Sequence, residues 1–185
     1  MPANTTHPTT SMSSDFFAAL ATTIDMQEQP QFLADMFGGD ISVSGEFERT
    51  AYLLARNISD SYNPCGFSFA KCKQYDTFFM YPTDSSKQYA VEDFDEDEDE
   101  YGNKRYYHVD NKVFGMIVTL RALEDSSCRK AGEEKLAGII YDRMERLYQA
   151  ISHTTTAMCS DHSKLNEDEK AHVRYMASLI QKHVE

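Results

Sequence analysis

No tryptophan occurs among the 185 residues, so the large aromatic positions of any core fall to eleven tyrosines and eleven phenylalanines. Basic residues are scarce as well: 18 lysines and arginines stand against 30 aspartates and glutamates, a formal net charge of −12. That balance argues against direct binding to nucleic acid or an anionic membrane, because such binding rests on lysine and arginine displacing counterions from phosphates. No apolar run approaches the ~20 residues that span a bilayer. The N-terminal MPANTTHPTTSMSS has neither the basic residues nor the hydrophobic stretch of a secretion signal, so the cytoplasm is the expected location. Cys65, Cys72, Cys128 and Cys159 form no CxxC pair and no disulfide framework, which points to free thiols in a reducing compartment.

Catalytic signatures are missing too. The chain contains no GxGxxG, GxxxxGK[ST], GxSxG or HExxH, so phosphate-cradling loops and the commoner hydrolase and metallopeptidase sites are absent. No catalytic residue, cofactor or metal is assigned, and the protein is not expected to be an enzyme. Cys159, Asp161, His162 and nearby His153 are zinc-binding residue types, but four ligands at finger-like spacing are not there, and a polar loop is the plainer reading. The alternating acids at Asp93, Asp95, Asp97 and Asp99 fail as a calcium loop, because the sixth residue from Asp95 is Glu100 where glycine is required. His108, beside Tyr106, Tyr107 and Asp110, is either a general base or an ordinary strand histidine. The second reading is favoured because no activated nucleophile can be paired with it.

What is present in abundance is carboxylate, concentrated in one place. Glu92, Asp93, Phe94, Asp95, Glu96, Asp97, Glu98, Asp99 and Glu100 put eight acids into nine positions. Adjacent unpaired carboxylates repel one another and lose too much hydration on burial to sit in a core, so the run must be a solvated loop. Two readings stay open: a solubilising connector, or a surface that imitates nucleic-acid phosphate and captures a basic partner, with Phe94 as an anchor.

Periodicity supplies the frame. Residues 1–13, rich in Thr, Ser, Pro and Asn, read as a disordered arm, and 14–185 as one domain with an acidic loop at 92–103. Ser14 is the expected cap of a helix reaching Met26, with Phe16, Phe17, Leu20 and Ile24 on one face. A short helix PQFLADMF should stop at Gly38-Gly39. A third helix, capped by Ser44, carries Phe47, Ala51, Leu54, Ala55, Ile58 and Tyr62 inward. Gly66–Lys71 and Thr77–Tyr81 form an expected hairpin ended by Pro82, and Gln88–Val91 and Arg105–Val109 are strands on either side of the acidic run. Asp110 or Asn111 should cap a helix with Val113, Ile117, Leu120 and Leu123 inward, Gly115 permitting close approach to a neighbour, and a break at Asp125-Ser126-Ser127. A longer helix is expected over Arg129–Ile151, a polar loop over His153–Lys164, and a last helix started by Asn166 with Glu169. Arg49, Arg56, Arg121, Arg143 and Arg146 read as solvated helix faces. The methionines at 80, 116, 144 and 176 read as packing. Helices, then strands, then helices make an α+β fold: a small antiparallel sheet of three or four strands with five or six helices.

Phe37-Gly38, Gly45-Glu46, a helix ending in Tyr62, Cys65-Gly66-Phe67-Ser68-Phe69, and Phe78-Phe79-Met80-Tyr81-Pro82 resemble, in that order, the plasmid- and phage-borne antirestriction proteins of the ArdB/KlcA family. The helix from Asn111 through Gly115-Met116-Ile117 to Leu120-Arg121-Ala122-Leu123 is similar to that family's A-x-G-I-x-x-x-L-x-A-L segment. Phe67 stands where the family has tryptophan, Cys65 replaces one of its paired glycines, and the acidic run looks like an addition. The resemblance implies a small cytoplasmic protein of mobile elements. Its partner would be a host DNA-targeting defence protein with a basic surface, a type I restriction-modification complex first of all. It transfers no functional residues, so the acidic run is the candidate contact on charge alone.

Overall fold

The computed structural model describes residues 9–92 and 106–182. Along the chain come α1 (Thr9–Leu20), β1 (Ala21–Thr23), α2 (Gln29–Met36), α3 (Ile41–Ile58), β2 (Phe67–Cys72), β3 (Phe78–Pro82), β4 (Tyr89–Glu92), β5 (Tyr106–Val109), α4 (Asn111–Arg129), α5 (Glu134–Met158) and α6 (Glu167–Lys182). This is the expected α+β class, with the strands divided between two antiparallel sheets: β1-β2-β3, and a separate β4-β5 ribbon.

The architecture turns on α4. Every residue from Val113 to Leu120 is buried, and a helix apolar all round must be enclosed all round. β3, α3 and α5 enclose it, with α6 and α1 closing the remainder. Gly115 is what lets α4 lie against β3: a Cβ there would sit 2.2 Å from the Met80 carbonyl oxygen and 2.5 Å from Tyr81 Cα. The contact is stitched by Thr119 Oγ1, which accepts from the Met80 N–H at 2.9 Å and donates to the Gly115 carbonyl at 2.7 Å. Asp110 caps the helix, its Oδ1 accepting from the amides of Lys112 and Val113.

Several expected boundaries move. α1 starts at Thr9, inside the stretch read as an arm, since no proline or glycine interrupts residues 9–14. It stops at Leu20 because Ala21–Thr23, two of them β-branched, pair with Cys72–Ala70 as an edge strand that the sequence reading lacked. Asp40, four residues before Ser44, caps α3 by accepting from the amides of Ser42 and Val43, while Ser44 is buried within the helix. α4 runs through Asp125-Ser126-Ser127 to Arg129. There the Asp125 carboxylate meets Arg129 one turn on at 2.8 Å, and Ser126 is buried. α5 begins later and ends later than expected. Residues 130–133 form its entry turn, and Thr155 and Thr156, read as loop, stay helical by donating their hydroxyls back to the carbonyls of Ile151 and Ser152.

Other expectations hold. Pro30 lies in the first turn of α2, and Gly38 and Gly39 follow that helix with φ of 72° and 88°. The Asn166–Glu169 capping box closes in both directions, at 2.7 and 2.9 Å. Phe78 lies at the centre of an aromatic core with Phe37, Phe47, Phe32 and Phe69, which does the work that larger rings would otherwise do.

Arg143 is corrected outright. It is no solvated arginine: its side chain is only 13% exposed, and its guanidinium ties three segments together. Nε donates to the Met36 carbonyl at 3.0 Å, and Nη1 donates to the Asp76 carbonyl and to its carboxylate.

Candidate functional site

The acidic run begins at the end of β4, and β4 and β5, which flank residues 93–105, pair as a ribbon. Pairing runs Tyr89 with Val109, Ala90 with His108, Val91 with Tyr107 and Glu92 with Tyr106. Alternation of the pleat then sorts the side chains. Tyr89, Val91 and Val109 are buried, and Tyr89 stacks on Phe114 of α4 at 4.4 Å with 7° between the rings. Tyr106 and His108 point the other way and are exposed. One further hydrogen bond fixes the ribbon, Ala90 N–H donating to Ser61 Oγ at 3.2 Å, and beside it Asn111 Nδ2, at the start of α4, donates to the Pro82 carbonyl of β3 at 2.8 Å.

Of the candidate contact residues only Glu92 lies in this frame, half-buried at the end of β4. Asp93, Phe94, Asp95, Glu96, Asp97, Glu98, Asp99 and Glu100 lie outside the described residues.

Beside the ribbon, between β5 and α6, runs a groove of about 160 Å³ lined by Gln88, Tyr107, His108, Asp110, His172 and Tyr175 over a floor that includes Val113, Met176 and Leu179. The sequence reading did not find α6's part in it. His172 and Tyr175 come from an amphipathic helix some sixty residues further on, and only the tertiary packing of α6 on α4 joins them to His108. Tyr107 and Tyr175 meet edge to face at 5.6 Å. For His108 the surroundings are those of a surface strand residue. Among the described residues it has no side-chain hydrogen bond, and the nearby Asp110 uses Oδ1 to cap α4 instead of orienting an imidazole.

The zinc-type residues do not gather. His153 is helical and hydrogen-bonds with the Tyr75 hydroxyl, while Cys159 ends α5 and its thiol donates to the Lys170 carbonyl at 3.5 Å. Among the described residues no group of three or more His, Cys, Asp or Glu side chains is arranged to hold a metal ion. No helix among them is long and apolar enough to cross a membrane.

A second cluster, of buried tyrosines, lies at the root of the ribbon. Tyr62 stacks on Phe67 and packs on Tyr89 and Phe114. Burial raises the pKa of both hydroxyls, that of Tyr89 to about 12. Burial likewise pushes the Cys72 thiol up to about 12. These groups are packing elements, too costly to charge to serve as acids or nucleophiles near neutral pH.

No family model matches the sequence, and no curated protein matches it. A solved structure does. It aligns over 89% of this chain and 94% of its own, with a TM-score of 0.61 and 17% identity. It is described as showing that the KlcA and ArdB proteins have "a novel fold and antirestriction activity against Type I DNA restriction systems in vivo but not in vitro". The chain has the KlcA/ArdB fold. The segments that resemble that family in sequence fall just after α2, on α3 (which ends at Ile58, before Tyr62), on the β2-β3 hairpin and on α4, around Gly115 and Phe78 in this fold.

Proposed function

We propose that this chain is an antirestriction protein of a mobile element, relieving the action of a host type I restriction-modification enzyme by binding it as a protein and performing no chemistry of its own. The observation that carries the reading is the near full-length likeness to the KlcA/ArdB structure, joined to collinear sequence blocks on α3, β2-β3 and α4. A protein of charge −12 is unsuited to compete for the DNA itself and well suited to approach the basic surface that holds DNA. Within it, residues 92–100 are the densest source of field, and Glu92 and Tyr106, which flank residues 93–105, are paired in the ribbon.

In mechanism, opposite charge speeds encounter more than it tightens the final complex. The field reaches about 8 Å at physiological salt and about 3 Å at 1 M, so a capture that depends on it fades as salt rises. Tagged protein should therefore retain subunits of the restriction enzyme from a host lysate at low salt and release them at high salt. If no DNA-targeting subunit is held at low salt, or if retention is indifferent to salt, electrostatic capture is wrong. Because the structural neighbour's activity is described for cells and not for purified components, the functional readout belongs in a restricting host.

A further inference from the structure

The groove between β5 and α6 has a chemistry of its own, and its interpretation rests on the proposed antirestriction function. We infer that it is an anchoring pocket for an arginine side chain of the basic partner. Three observations converge on that occupant.

First, among the described residues that line the groove there is no lysine or arginine, and Gln88, Tyr107 and Asp110 place it along the same ribbon whose other end, Glu92 and Tyr106, flanks residues 93–105. An entering cation meets no like-charged side chain of that kind. Second, the walls are aromatic and the floor aliphatic: Tyr107 and Tyr175 at 5.6 Å, with Tyr175 44% exposed, above Met176 and Leu179. A planar guanidinium stacks on such rings while its methylene stem covers apolar surface, which the compact, strongly hydrated lysine ammonium does less well. Third, an acceptor is in place. Asp110 gives Oδ1 to the two capping amides of α4, and among the described residues no hydrogen bond engages its second carboxylate oxygen. A volume of about 160 Å³ admits one long side chain and not a folded ligand or a helix. The groove thus supplies the short-range specificity that a run of carboxylates alone lacks.

The test uses the full chain, ¹⁵N-labelled, titrated with capped tri-arginine, tri-lysine and tri-glutamate peptides. Tri-arginine should shift the amides of Tyr107, Asp110 and Tyr175, tri-lysine should do so more weakly, and tri-glutamate not at all. Asp110→Asn retains a capping side chain and should fold normally while weakening tri-arginine binding several-fold. Tyr175→Ala should abolish the groove shifts and Tyr175→Phe preserve them. In a restricting host, Tyr175→Ala should lower protection of incoming DNA about tenfold, the scale expected for truncating a central aromatic contact. Arginine shifts confined to residues 92–100, equal shifts with lysine, or Asp110→Asn and Tyr175→Ala variants indistinguishable from wild type would overturn the pocket. Should the wild type fail to protect DNA while tri-arginine still binds the groove, the pocket stands and the antirestriction reading falls.

Discussion

Gly115→Ala separates this packing scheme from a simple reading of helix propensity. In an isolated helix, alanine is favoured over glycine by about 1 kcal/mol. Here the added Cβ would lie 2.2 Å from the Met80 carbonyl oxygen and 2.5 Å from both Tyr81 Cα and Cβ, where ordinary contact begins at 3.4 Å. Two of those three atoms are backbone, so no side-chain rotation relieves the clash; α4 and β3 must part by roughly 1 Å in a close-packed interior. Overpacking of this kind costs about 1–3 kcal/mol. The same parting stretches the buried Thr119–Met80 hydrogen bond, worth about 1 kcal/mol net. After the propensity gain, a net loss of about 1–3 kcal/mol is expected, a fall in Tm of about 2–12 °C for a chain of this size. Gly138→Ala is the control, because that glycine lies within α5 with no atom inside 4 Å of an added Cβ, and it should gain about 0.5–1 kcal/mol. Urea denaturation followed by circular dichroism measures both. If Gly115→Ala is as stable as wild type, or gains as much as Gly138→Ala, the apposition of α4 and β3 is wrong.

Other consequences are quickly checked. Arg143→Met removes a largely buried guanidinium and leaves the Met36 and Asp76 carbonyls short of a donor, so chemical denaturation should show a loss of about 2–3 kcal/mol, only partly recovered by Arg143→Lys. Asp40→Ala should cost about 1 kcal/mol by uncapping α3, whereas Ser44→Ala leaves that cap intact and should cost less. A thiol reagent at pH 8 should label exposed Cys65 and Cys128 in the native protein and reach Cys72 only on unfolding. Cys72 and Tyr89 titrate higher folded than unfolded, so both are protonated in either state below about pH 7.5 and contribute no slope there. As pH rises from about 8 to about 12 the unfolded chain loses those protons first, the thiol before the phenol, and stability should fall across that window.

The sequence carried the element types better than their ends. The α3, α4 and α6 faces, the hairpin and the ribbon were legible because each has a clear period of 3.6 or 2. Ser44 alone was read as the cap of α3. The choice fell to Asp40 because its carboxylate reaches two amides and adds a turn, even though that leaves Ile41 76% exposed. Asp125-Ser126-Ser127 and Thr154-Thr155-Thr156 have poor helix propensity, and there an ion pair, burial and side-chain back-bonding override it. β1 was missed because three residues carry too little pattern, its partner lying some fifty residues away. The ribbon beneath the acidic run was readable from alternation. The groove beside it was not, since His108 and His172 meet only through packing, and neither has a spacing that marks it.

The central claim, that carboxylates at the end of the ribbon capture a restriction enzyme, is tested most directly by plating unmodified phage on a host that carries a type I restriction system. The cells would express either the wild-type chain or one in which Glu92, Asp93, Asp95, Glu96, Asp97, Glu98, Asp99 and Glu100 are replaced by Gln and Asn. At matched, folded protein levels the wild type should restore plating and the neutralised variant should lose most of that protection. Equal protection by the two would contradict the claim.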